Sequence, residues 1–401
     1  MNPVLTTTIK ATLPELVKKY GQPKYKHHRV EIWVFNDRNT RMKAEKQLLN
    51  LGIIAKVRSA YKPLLNTLME ELDIEHTNLV RLEVKYPVND HCPPNRFALE
   101  AYPLGGMLGS EKISFVANRS RSLTYEIEAI LQTGEKITRN VLAPSAVKKS
   151  ATYERYLSPT GWIRIEDPQG NRFVDQRINT DYEQVFDTVM QAISLNSWPC
   201  ESFEELNIKV KGPMFDEKLP YAHEHISLSE ALHEDFYFTI QEWFKYQAGK
   251  APHDRSFRFG QIIPDITSQI GDYDICVRQD PYILTNREMP RQVLEKTQEP
   301  LSSSQISSEL GDIKGERLSA LSVAGRSVQA VYHQGADQPV LISGGQHANE
   351  LSGIVGALRH AKVLAEHSES HFVISPLENP DGYETFLRLS QTNPTHMHHR
   401  R

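Results

Sequence analysis

Long apolar runs are missing from this 401-residue chain: no stretch approaches the roughly 18 consecutive apolar residues of a membrane-spanning helix. The amino-terminal stretch "MNPVLTTTIKATLPELVKKYG" lacks a basic region followed by an apolar core, so it does not read as a secretory signal. Cysteine is scarce. Cys92, Cys200 and Cys276 are odd in number, far apart and without CxxC spacing, which argues against a disulfide framework and against a thiolate metal site. An excess of one charge is absent too. With 46 basic and 50 acidic side chains mixed along the chain, the net charge is −4, which leaves no electrostatic footprint for nucleic acid or an anionic membrane. These absences lead us to expect a soluble, cytoplasmic protein that binds neither nucleic acid nor membrane. They leave its oligomeric state open.

What is present is an ordinary globular composition, long enough for two or three domains. Residues 29–36 read as a strand and 41–51 as a helix, then a strand near 53–61 and a helix over 62–72. "LVRLEVKYP", "NRFALEAYP" and "KISFVANR" are short β-branched and aromatic runs that predict strands. Two hairpins are expected, one turning at Thr133-Gly134 and one at Pro168–Asn171. Residues 181–195 are expected to be helical. Residues 1–200 thus read as an α+β domain of unassigned role. Over 227–247, apolar side chains recur at helical intervals behind a serine cap. This helix belongs to a mixed helical and irregular region, 201–300. The serine-rich "TQEPLSSSQISSELGD" suits a linker running into a short helix, so we place a domain boundary near residue 300.

In the last segment, 301–401, "RSVQAVYHQ" and "QPVLISGG" read as strands, 350–366 as a helix and "HFVISPLENPDG" as a third strand leading into a turn. Strand, helix and strand in that order build a parallel crossover, and ligands of such sheets gather beyond the carboxyl ends of the strands. "GGQHANE" occupies that position, with His347 three residues before Glu350. Gly344 and Gly345 allow a sharp turn there. A histidine nitrogen and a carboxylate at a loop-to-helix junction can converge on zinc at about 2.0–2.2 Å. The competing reading is a histidine and a glutamate that cap the helix, and spacing alone leaves both open. The same spacing at His28 and Glu31 straddles the start of a strand, where side chains three apart point to opposite faces. We read that pair as structural. His223-Glu224-His225 and His233-Glu234-Asp235 could bind a metal, but read better as the polar surface of a helix and its approach. His396, His398 and His399 read as a solvated tail.

The motifs "GGQHANELSG" and, after the next strand, "ENPDGYE" resemble those of the zinc carboxypeptidase family, as does the preceding "GRSVQAVYH". The resemblance covers roughly residues 302–401. It implies an α/β sheet domain, a Zn2+ cofactor held by His347 and Glu350, and hydrolysis of a C-terminal peptide or amide bond. Asn379–Gly382 would shape a turn beside the site. "GGQHANELSG" is also similar to the aspartoacylase and succinylglutamate desuccinylase group, which would make the substrate an N-acyl amino acid; Asn379-Pro380-Asp381-Gly382-Tyr383 favours the peptidase. A third possibility is a non-catalytic binding protein whose function lies in residues 1–300. The family's third zinc ligand, a later histidine, and its general-base glutamate have no counterpart in the 54 positions after His347. Arg388 falls too early, and Arg400 and Arg401 too late, for the family's substrate-polarising arginine. No catalytic residue can therefore be assigned, and the 301–401 segment reads as the first part of such a domain, inactive as a 401-residue chain.

Overall fold

The computed structural model describes residues 3–88, 94–118, 123–150, 152–198, 204–251, 253–254, 260–282, 284 and 286–393. Among these the fold is mixed α/β, with ten α-helices, four four-stranded sheets and two short two-stranded ones. No helix among the described residues is long and apolar enough to cross a membrane. Cys92, Cys200, His396, His398, His399, Arg400 and Arg401 lie outside the described residues.

The chain divides into two compact units, Met1–Ser202 with Asn207–Arg278, and Phe203–Leu206 with Gln279–Arg401. The division thus falls near residue 279, whereas the sequence suggests a boundary near 300. Strand pairing is the reason. The strands Gln261–Ser268 and Tyr273–Asp280 share one sheet with Leu5–Ile9 and Glu205–Gly212, which ties most of the 201–300 segment to the amino terminus. Pro264 and Asp265 break the pattern of the first of these strands, whereas Tyr273, Ile275 and Val277 of the second do alternate inward.

In the first unit, strands Arg29–Val34 and Ile54–Ser59 run parallel, joined by helix Arg38–Asn50, and the hairpin Gly161–Glu166 and Arg172–Ile178 extends the sheet antiparallel. Val30, Ile32 and Val34 alternate into a core with Leu13, Leu48, Val57 and Ile163. Glu31, on the other face, pairs with Arg58 at 2.8 Å, while His28 stands before the strand between the rings of Tyr25 and Phe173. A second sheet holds Leu79–Pro87 and Ile113–Asn118 with the expected hairpin around Gly134, whose φ of +83° needs glycine. "NRFALEAYP" is not a strand: Pro94–Ala101 is a helix, because proline at its first position favours a helix start and the apolar residues recur at helical rather than alternate positions. The long helix forms as Leu228–Gln247, capped by Ser227 Oγ on Glu230 N. His233 is buried rather than on its polar side. It lies four residues after Ser229 and three before Phe236, on the stripe that packs inward.

Helix Asp181–Leu195 opens with a capping box between Thr180 and Glu183. Beside it, the fully buried Asp181 carboxylate accepts hydrogen bonds from Thr12 N and Tyr182 N, both at 2.9 Å. Burial outweighs these bonds and raises the Asp181 pKa to about 6.

In the second unit the sheet order is Glu316–Leu321, Ser327–His333, Phe372–Ser375, Val340–Ser343. The last two strands are parallel and flank helix Leu351–Leu364, as the strand–helix–strand pattern predicts. The first two pair antiparallel, so the sheet is mixed. Helices Ser303–Gly311 and Pro380–Leu389 join Leu351–Leu364 in one core with Val331, Phe372 and Ile374. The sequence pattern shows only one long helix for this purpose. The second is short and polar, and the third begins inside what reads as a turn. Leu318 and Leu341 project from the opposite face of the sheet, and Leu341 is 73% exposed.

Asp181 holds its proton more tightly in the folded chain than its ordinary pKa near 3.8 allows when unfolded. Its contribution is therefore fully present below pH 3.8 and is lost as pH rises through about 6. We expect Asp181→Asn to gain stability relative to the unsubstituted chain between pH 4 and pH 7, by at most roughly 3 kcal/mol. Urea unfolding of both proteins at three pH values checks this; a difference that stays constant would mean that the carboxylate does not titrate in the folded chain.

Candidate metal centre

The loop after Val340–Ser343 is built by two glycines. Gly345 has φ of +65°, and a Cβ there would lie 2.9 Å from Leu377 Cδ1 and 3.1 Å from Pro376 O. Such closeness lets the loop lie against the segment that follows strand Phe372–Ser375. Gly344 N donates to Ser375 O at 2.9 Å, Glu378 N to Gly344 O at 3.1 Å, and Asn379 N to Gly345 O at 3.0 Å. Asn379 Nδ2 adds a bond to Gln346 O at 3.2 Å. The loop that carries His347 is thereby fixed at the carboxyl ends of two parallel strands, where crossover sheets collect ligands.

Glu350 is the residue just before helix Leu351–Leu364, but its side chain makes no capping hydrogen bond. It turns back instead, and its Oε1 stands 2.8 Å from His347 Nδ1. Both side chains are solvent-accessible, at 44% and 59%. The sequence reading leaves a metal pair and a capping pair open, and this geometry is not that of a cap. Two ligands of one tetrahedral ion stand roughly 3.3 Å apart, so the pair would have to open by only about half an ångström to take zinc. The donor chemistry fits half of a zinc site. Among the described residues no group of three or more His, Cys, Asp or Glu side chains is placed to hold a metal ion.

The "NPDG" segment has a structural role that the sequence only partly shows. Asn379 Oδ1 accepts from Gly382 N at 2.9 Å and so caps helix Pro380–Leu389, with Pro380 at its first position. A Cβ on Gly382 would lie 2.6 Å from Asn379 Nδ2, so glycine leaves room for the cap. Asp381 accepts from Ser322 Oγ at 2.9 Å, Ala324 N at 3.1 Å and Arg326 at 3.2 Å, which anchors the helix start to the turn between the first two strands. Tyr383 is buried and donates to Leu301 O at 2.6 Å; burial raises the pKa of its hydroxyl. Arg388 is held by Glu205 at 3.0 Å. Glu224 accepts from Tyr102 OH at 2.7 Å, and His225 lies on a two-residue strand paired with Lys218. Comparison with protein-family models, curated proteins and solved structures finds no match for this chain.

Glycine at 345 is required both by the backbone conformation and by lack of space. Gly345→Ala is expected to destabilise the second unit by about 2–4 kcal/mol. Gly356, within the helix that follows, has nothing within 4 Å of a Cβ. Gly356→Ala should therefore stabilise by about 0.5–1 kcal/mol. Denaturant unfolding of the two variants should move in opposite directions, and a neutral Gly345→Ala would mean that the loop is not held by this close approach.

Proposed function

We propose that the second unit carries a zinc-binding half-site of the carboxypeptidase type, and that its chemistry is hydrolysis of a peptide or amide bond next to a free carboxylate. The observation that carries this reading is the turning of Glu350 away from its helix and onto His347 at 2.8 Å, at the carboxyl end of a parallel strand. His347 and Glu350 would hold the ion. Zinc, when bound, polarises a carbonyl and lowers the pKa of its water. The chain's own residues position that pair: Gly344 and Gly345 set the loop against Pro376–Asn379, and Asp381 and Arg326 fix the segment beneath it. The motif Asn379-Pro380-Asp381-Gly382-Tyr383 supports the peptidase reading over the N-acyl amino acid deacylase reading. In the same proposal the protein works in the cytoplasm, a reading supported by its scarcity of cysteine.

Catalytic zinc needs three protein ligands and a water, and the water needs a base to take its proton. Among the described residues, the pair has no third donor placed beside it. Two donors should supply roughly half of the 10–16 kcal/mol of a four-ligand site, a micromolar to sub-millimolar dissociation constant. We therefore expect the 401-residue chain to bind about one readily exchanged zinc in that range, to lose it in His347→Ala with little change in unfolding midpoint, and to release no C-terminal residue from test peptides. Zinc binding that His347→Ala does not alter would refute the half-site. Tight zinc with turnover that depends on His347 would mean that His396, His398 or another chain completes it.

A further inference from the structure

A zinc ion prefers four donors in a tetrahedral array, and His347 with Glu350 offers two. Both side chains are open to solvent, so the unfilled half of an ion seated between them faces outward. Among the described residues no third His, Cys, Asp or Glu is placed to fill it from within the chain. The surface around the pair is low. Between residues 346 and 353 the other exposed positions are Gln346, Ser352 and Gly353. Gln346 is folded back, its Nε2 donating to Ser343 Oγ at 2.6 Å, and a Cβ on Gly353 would meet nothing within 4 Å. A large body can therefore come close to the ion.

Charge and symmetry say which body fits. Metal ligands bind as neutral imidazole and as carboxylate, so one His–Glu pair leaves Zn2+ with a single positive charge. Water in the two open positions does not change that, whereas a second His–Glu pair brings the charge to zero. A tetrahedral ion held by two identical bidentate halves also has a twofold axis, the commonest symmetry of protein dimers.

We infer, on the half-site reading above, that one zinc ion bridges two copies of this chain, each contributing His347 and Glu350. The second copy displaces the two waters and is held by the same donors as the first. Its dissociation constant therefore falls in the same range, roughly micromolar to submillimolar. The twofold axis passes through the ion at the carboxyl ends of both sheets. It differs from the axis of a sheet continued through its free edge. Val340–Ser343 is the edge strand, and pairing it antiparallel with its own copy would carry the two His347 loops to opposite ends of the pair. Because each half-site can also take an ion of its own, zinc in excess competes with the bridge.

Sedimentation velocity of the 401-residue chain at about 300 µM, within the expected affinity range, tests this at several zinc ratios. At half an equivalent of zinc the weight-average mass should rise by at least about 20% toward that of a dimer. It should fall back toward that of the single chain at several equivalents, and EDTA should reverse the rise. His347→Ala and Glu350→Gln should each abolish the rise with little change in unfolding midpoint. A variant with His396, His398 and His399 all replaced by alanine should keep it. Calorimetry on the same samples separates the two levels of failure. Absence of zinc binding overturns the half-site and the bridge with it, whereas zinc bound one to one with no gain in mass at any ratio overturns the bridge alone. The bridge is equally overturned if a dimer persists unchanged in EDTA, if excess zinc leaves it intact, or if loss of the three carboxyl-terminal histidines abolishes it.

Discussion

Everything proposed for the second unit depends on how closely two loops approach at the ends of neighbouring parallel strands. Gly345 lies against Pro376 and Leu377 with no room for a side chain, Gly344 lies closely against Gly353 and Pro376, and backbone bonds to Ser375, Glu378 and Asn379 hold them there. Hydrogen bonds of this kind are individually modest, but a buried backbone group left without a partner is costly, so the set forms together or not at all. The loop then has little freedom. His347 and Glu350 meet because the backbone beneath them is fixed, and their own hydrogen bond, exposed to water, would not hold such a geometry alone.

The same arithmetic explains the start of helix Pro380–Leu389. Asn379 serves both loops: its backbone N donates to Gly345, its side-chain nitrogen to Gln346, and its side-chain oxygen caps the helix. Asp381 adds a charged tie to Arg326 that is largely buried, where such a bond is stronger than at the surface. A motif with the look of a reactive cluster therefore acts through geometry: its polar atoms are consumed in holding the backbone.

How far the sequence exposes all this follows from what each residue reports. Periodicity locates the helices at 181–195 and 228–247 and the crossover around 351–364, because an amphipathic stripe is a local property. Strand Glu316–Leu321 escapes it, since every one of its residues is exposed and its existence depends on pairing with Ser327–His333. Helix Pro94–Ala101 is obscured by aromatic and apolar residues that also suit strands. At the candidate site, the glycines and the HxxE spacing are visible in the sequence, but the choice between a cap and a converging pair is not.

One sheet of the first unit has a consequence for how the chain is made. Strand Leu5–Ile9 lies at a sheet edge and pairs with Tyr273–Val277, so Leu5 meets Val277 across nearly the whole unit. Closing a flexible loop of that length costs on the order of 5 kcal/mol in chain entropy. On a ribosome adding about 5–20 residues per second, the first strand would wait roughly 15 to 50 seconds for its partner to be synthesised. Over that interval Leu5–Ile9 belongs to a growing chain that holds one half of its pair, and Thr12 meets its Asp181 partner only after roughly two thirds of the wait has passed.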